Sequence, residues 1–124
     1  MSADSTRTKG SKGEELAGRY LEGIGLSILE RNYRLKSGEI DIIARDGDTI
    51  VFVEVKAASG PAFGDPLGWV PARKQRRIAR TSLLYLSSHG LHDAPVRFDV
   101  IAIDPARTIR HVKDAFSAPD GFSL

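Results

Sequence analysis

Residues 38–56 read GEIDIIARDGDTIVFVEVK, and the fold turns on how this stretch doubles back on itself. Apolar, largely β-branched runs on either side of Asp46-Gly47-Asp48 predict two strands, over 39–45 and 49–58, joined by a tight hairpin turn. Strand side chains alternate between faces, so Glu39 goes with Asp41 and Glu54 with Lys56. A two-residue turn at Gly47 and Asp48 sets Asp41 opposite Glu54 and Glu39 opposite Lys56. A turn at Asp46 and Gly47 sets Asp41 opposite Phe52 instead, and a three-residue turn centred on Gly47 is a third register that the sequence leaves open. Opposed carboxylates repel. Such a pair is tolerable where a divalent cation lies between the oxygens, or where one carboxyl keeps its proton. The plainer alternative is an edge hairpin whose charges deter aggregation. Against it, Ile50 and Phe52 share the face of Glu54 and Lys56, which puts the charges at the far end of a core-facing strand.

Outward from the hairpin, SKGEELAGRYLEGIG (11–25) places Leu16, Ala17, Tyr20, Leu21 and Ile24 at helical spacing, with acids in its first turn and Gly25 as its stop. LSILERNYRL (26–35) predicts a strand with an irregularity between Glu30 and Asn32, because Asn is a poor strand residue. SGPAFGDPLGWVP (59–71) is a Gly and Pro loop, and Pro71 opens a second helix that stops near Gly90. PVRFDVIAID and TIRHVKDAF supply two more strands. The expected architecture is an α/β fold, a mixed sheet with flanking helices in the order α-β-β-β-α-β-β. The first three strands form an antiparallel meander, and the second helix crosses over to make the fourth strand parallel to one of them. Residues 1–10 are expected as a flexible basic arm, 11–118 as a single domain and 119–124 as a C-terminal tail.

Composition narrows the chemistry. A chain of 124 residues with 41% apolar and 27% charged residues suits one globular domain. There is no cysteine, which excludes disulfides, thiolate zinc sites and cysteine nucleophiles. No apolar stretch has the length of a membrane span or the form of a secretory leader, so a cytoplasmic protein without membrane contact is expected. Net charge is only +2, but Arg73, Lys74, Arg76, Arg77 and Arg80 crowd one helix and Lys12 lies near the start. Such a patch steers anionic polymers and contacts nucleic-acid backbone rather than bases; a solvated helix face is the bland alternative.

Two acids beside a lysine suit metal-assisted hydrolysis of a phosphodiester. Asp41 and Glu54 offer hard oxygen ligands for Mg²⁺ or Mn²⁺, and the Val55 carbonyl is a further candidate ligand. Lys56 would contact the phosphate or orient the attacking water. Glu14 falls at the edge of the first helix's apolar stripe and can lean over the sheet end, whereas Glu15 points away; the alternative for Glu14 is a simple preference for the helix N-terminus. Gln75 falls with the apolar set of the second helix, where it can serve the site or cap a loop carbonyl. Trp69 is expected either to stack on an unpaired base or, as the favoured alternative, to cover the core beside Pro71. Asp99 is expected to pair with an arginine rather than to face the active end. His89, His92 and His111 show no ligand spacing, and no phosphate-binding loop or nucleophilic triad is present.

These residues also resemble a known family. GEID and VFVEVK, preceded by KGEELAGRYLEGIG and ERNYRLKSG and followed by the FG of the loop, the basic helix and RFDVIAID, resemble the YraN-like family of small bacterial proteins over about residues 10–116. That family is similar to the restriction-endonuclease-like, PD-(D/E)xK superfamily, and to archaeal Holliday-junction resolvases in particular. The resemblance implies a restriction-endonuclease-like α-β-β-β-α-β core, with the metal-binding aspartate at Asp41, the glutamate at Glu54, the lysine at Lys56 and a further acid at Glu14. Ile40 stands where the wider pattern has proline. The activity implied is a divalent-metal-dependent DNA endonuclease acting on branched or structured DNA, with a homodimer making paired cuts. Two alternatives stand beside it: a non-catalytic nucleic-acid-binding module on the same scaffold, and a structural or protein-interaction domain built on a charge network. The residues do not distinguish DNA from RNA.

Overall fold

The computed structural model describes residues 4–57 and 69–118, with side chains from Lys12 onward. Helix α1 spans Asp4–Gly23, followed by β1 (Ser27–Leu35), β2 (Gly38–Asp46) and β3 (Thr49–Ala57). Helix α2 (Ala72–Ser88), β4 (Val96–Ile103) and β5 (Ile109–Phe116) complete the chain. This is the expected element order. α1 begins earlier than its apolar spacing suggested, because residues 4–10, expected within a flexible arm, continue the helix. The tail at 119–124 and the loop up to Gly68 lie outside the described residues. No helix among the described residues is long and apolar enough to cross a membrane.

The five strands form one sheet in the order β1-β2-β3-β4-β5. All neighbours are antiparallel except β3 and β4, which are parallel. That is the geometry a helical crossover through α2 imposes. In the β2–β3 hairpin Ile42 pairs with Val53 and Asp46 with Thr49, so Gly47 and Asp48 form the turn. Gly47 takes φ 61°, a left-handed conformation that glycine adopts without strain. Of the three registers open in the sequence, this is the one that continues to Asp41 opposite Glu54.

Each sheet face is covered by one helix. Ala17 and Leu21 of α1 bury against Ile42, Ala44, Val51, Val53 and Ile101. Ile78, Ala79, Tyr85 and Leu86 of α2 bury against Ile40, Ile43, Ile50, Phe52 and Phe98 on the other face. The α2 stripe follows from helical spacing, and Arg73, Arg76, Arg77 and Arg80 remain exposed. Trp69 is buried within this second layer, as the core alternative expected, with the Arg110 guanidinium 5.3 Å from its ring centre.

Strict alternation along β2 would place Ile40 beside Ile42 and Ala44, yet Ile40 packs in the α2 layer and the other two in the α1 layer. The break falls at Asp41. On β1, the residue between the partners of Ile40 and Ile42 is Asn32, held at φ 52°. Asn tolerates that conformation better than a branched side chain. The irregularity expected near Glu30 to Asn32 thus has two parts, a register shift between Ile28 and Glu30 and the left-handed Asn32.

Candidate active site

Where β2 leaves its paired register, the sheet and the start of α2 diverge and leave a cavity of about 830 Å³. Asp41, Glu54 and Val55 form its floor, with Glu39 and Arg34 on one side and Arg73, Lys74 and Arg77 on the other. Asp41 and Glu54 therefore lie between a cationic wall from α2 and a wall where Arg34 pairs with Glu39. Gly38 belongs to the same wall as Glu39, and a side chain there would come within 3.1 Å of Thr81 Oγ1 and 3.4 Å of Arg77 Cβ. Glycine is what lets the start of β2 lie close against α2.

Asp41 and Glu54 come together as the leading register required. The Val55 backbone N–H donates to Asp41 Oδ2 at 2.7 Å. Burial, and then the charge of Glu54 and a hydrogen bond with it, push the Asp41 carboxyl up to about 8, against the opposing pull of the Val55 N–H. Glu54 is only 8% exposed and forms an ion pair with Lys74. Burial alone would lower the Lys74 ammonium, but its hydrogen bond to Glu54 and the charges of Glu54, Asp41 and Glu39 outweigh that and raise it.

Glu14 stands partly buried on α1 while Glu15 is exposed, as the helical geometry indicated. Burial and the charge of Glu39 raise the Glu14 carboxyl, opposed by a hydrogen bond with Asn32 and the charges of Arg34 and Arg31. Its Oε1 is buried without a hydrogen-bond partner. Glu14 lies close enough for its charge to bear on Asp41. Even so, among the described residues no group of three His, Cys, Asp or Glu side chains is arranged to hold a metal ion.

The two remaining acids can be tested against the metal their chemistry suggests. Two adjacent carboxylates lining an open cavity, with Asp41 pushed up by burial and then by the charge of Glu54, are an all-oxygen donor set that a hard divalent cation satisfies. The residues present fit Mg²⁺ or Mn²⁺ in that sense.

Lys56 sits differently from the simplest expectation. Its Nζ donates to the Trp69 carbonyl at 2.8 Å, and it is not part of the cavity lining. The cation at Glu54 is Lys74, from the helix. Gln75 Nε2 donates to the Val70 carbonyl at 2.8 Å, the loop-capping role of its two alternatives. Lys56 and Gln75 therefore grip consecutive carbonyls of the segment that leads into α2. Among the basic residues, Arg73, Lys74 and Arg77 line the cavity, whereas Lys12, Arg76 and Arg80 are exposed elsewhere. Arg34 and Asn32 were missed in the sequence; the close YRLKSGE spacing of Arg34 to Glu39 held a signal, since the two pair at 3.4 Å.

Asp99 lies apart, with Ile101 of its own strand on the α1 face. It is fully buried, and it accepts from Arg97 Nε at 3.0 Å, His111 Nε2 at 2.8 Å and the Asp114 N–H at 2.9 Å. Arg97 reaches on to Asp46 at 2.8 Å, and Tyr20 Oη lies 3.1 Å from His111 Nδ1. Burial alone would raise Asp99, but the hydrogen bonds from His111, Arg97 and Asp114 lower it. The expected arginine partner is present. His111 is a buried hydrogen-bonding partner rather than a ligand.

Comparison with known proteins identifies the family. Residues 13–103 match the Uncharacterised protein family UPF0102. The chain is 50% identical over 117 residues to a UPF0102 protein of Geotalea daltonii, covering 91% of this chain and 92% of that one. It is 47% identical over 111 residues to one of Rhodococcus jostii, covering 86% and 94%. Among solved structures, Pyrococcus furiosus SfsA in complex with Ca²⁺ overlaps 88% of this chain and 63% of its own at 16% identity and a TM-score of 0.38, too slight a likeness to carry an argument. With matches this long and this close, the chain belongs to the UPF0102, or YraN-like, family of the restriction-endonuclease-like PD-(D/E)xK superfamily.

Proposed function

We propose that this protein is a divalent-metal-dependent nuclease that hydrolyses phosphodiester bonds of DNA, with branched or structured DNA as its substrate. The observation that carries the reading is the Asp41–Glu54 pair, at the floor of a cavity walled by Arg34, Arg73 and Arg77. Asp41 and Glu54 would hold Mg²⁺ or Mn²⁺, with the Val55 carbonyl as a further ligand and Glu14 supporting from α1. The chemistry such an ion would supply there is polarisation of a phosphoryl oxygen and compensation of the charge that builds up during in-line attack. The arginines on the walls take the flanking phosphates and set the strand across the acids, while Lys12, Arg76 and Arg80 extend the attractive field.

Lys56, tied to the Trp69 carbonyl and outside the cavity lining, would reach the attacking water or the phosphate only by letting go of that carbonyl. Gln75 holds the next carbonyl and so positions the same segment. A homodimer would present two such clefts for paired cuts.

The test is cleavage of labelled duplex, single-stranded, flap and four-way DNA with Mg²⁺ or Mn²⁺. The wild type is expected to cut at least one of these, and Asp41→Asn, Glu54→Gln and Lys56→Ala are expected to fall to background while keeping native circular dichroism. An inactive wild type across the panel rejects the reading. A second reading, binding without cleavage, is favoured by the Lys74–Glu54 ion pair, which already satisfies one acid internally. It requires salt-sensitive binding that Arg73→Ala and Arg77→Ala weaken and Asp41→Asn leaves intact.

A further inference from the structure

Lys74 lines the cavity, and the nuclease reading gives it no role. Its ammonium rests on Glu54, a carboxylate left with only 9% of its side-chain surface exposed, while the lysine side chain itself is 52% exposed. A buried carboxylate is costly without a partner, and the lysine supplies one. The partner is not sealed in place, because about half of its side-chain surface is in solvent and it lines the open cavity beside Arg73 and Arg77. A unit cation therefore sits on the same carboxylate that a dication would take, and it stands on the wall that faces a phosphate strand.

We infer that Lys74 is an exchangeable counter-ion, which neutralises Glu54 until a divalent cation takes that carboxylate and then turns into the cavity to contact the substrate phosphate. The inference rests on the metal-site reading above and adds a coupling to it. Metal loading and phosphate binding become linked through one side chain, so the positively charged contact is complete only in the metal-loaded protein. Competition for Glu54 also makes Lys74 a brake on metal affinity. A residue that merely stabilised the site would act in the opposite direction, since its loss would weaken metal binding.

The experiment is Mn²⁺ titration of the full chain by calorimetry, followed by rapid-mixing anisotropy of a labelled four-way DNA junction on the Mn²⁺-loaded protein before turnover. Lys74→Met is expected to bind Mn²⁺ about tenfold more tightly, the effect of one unit charge near a dication at the high effective dielectric of a half-exposed cleft. The loaded variant is expected to bind the junction several-fold more weakly than the loaded wild type. Lys74→Arg, which keeps the charge, should stay near the wild-type Mn²⁺ affinity. Arg77→Met, from the same wall, is the control for charge alone, with weaker DNA binding and little change in Mn²⁺ affinity. Equal or weaker Mn²⁺ binding by Lys74→Met, with a wild type that does bind, overturns the exchange and leaves the metal site standing. The same gain in Arg77→Met also overturns it, since the cleft's overall potential would then be the cause. If neither the wild type nor Lys74→Met binds Mn²⁺, the metal-site reading falls and the exchange falls with it. Lys74→Gln repeats each measurement where the methionine variant proves insoluble.

Discussion

Asp41 is held where its charged form is disfavoured, and its dependence on pH follows. Its folded value, about 8, lies above the ordinary 3.8. Below 3.8 the carboxyl is neutral in both the folded and unfolded chain and nothing is lost. As pH rises through that value towards 8, the unfolded chain releases the proton first, so stability falls across this window. Asp41→Asn, which cannot ionise, is therefore expected to melt several degrees above the wild type at pH 8 and close to it at pH 4, as thermal unfolding would show. The opposed acids were legible in the sequence only as one of three registers, and the turn at Gly47 and Asp48 is what selects them. That Lys74 rather than Lys56 would sit on Glu54 was not, since the choice between two flexible lysines depends on how α2 docks. Glu14 was legible as a partly buried acid through its helical angle, but not its orphaned Oε1 or the Asn32 contact.

Among the elements, α1, β4 and β5 are joined by a polar core. The chain of contacts from Asp46 through Arg97, Asp99 and His111 to Tyr20 ties the helix to both strands on a face that is otherwise apolar. Asp99→Ala leaves Arg97 and His111 facing each other without their shared acceptor, and is expected to cost about 3–5 kcal/mol in denaturant unfolding. The folded Asp99 carboxyl is lowered below its usual 3.8, so its contribution is present above that pH and is lost as acid carries the pH down through the folded value. The strands and helices were readable from period and turn chemistry. The irregularity around Asn32 was expected, but two features escaped that reading: the start of α1 at Asp4 and the break in alternation at Asp41. Each departs from the regular spacing on which such a reading depends. Gly38→Val tests the close approach of β2 to α2. Its added carbons meet Thr81 and Arg77, and urea unfolding is expected to show a loss of about 1–3 kcal/mol.

Over the whole molecule, charge is distributed rather than large. The net value is +2, yet the α2 wall and Arg34 surround the acids with cations. Nucleic-acid binding through that wall would weaken as salt rises, with a slope set by the phosphates neutralised. Arg73→Ala and Arg77→Ala are each expected to reduce the slope of log affinity against log salt by roughly one, in fluorescence titrations across a salt series. The family and the order of elements could be argued from the residues, and the hairpin register only as one of three. The placement of the basic residues could be argued only in part, because Arg76 and Arg80 share a helix with Arg73 and Arg77 yet lie outside the cleft.

Lys56 and Gln75 take the neighbouring carbonyls of Trp69 and Val70, which staples the exit of β3 to the entrance of α2. The distance from the end of β3 to the start of α2 is therefore set by side chains as well as by the length of chain between them. Ring closure is then already secured, and a few extra residues inserted after Gly60 add only a small logarithmic penalty. The connection can therefore lengthen while the spacing between floor and wall holds.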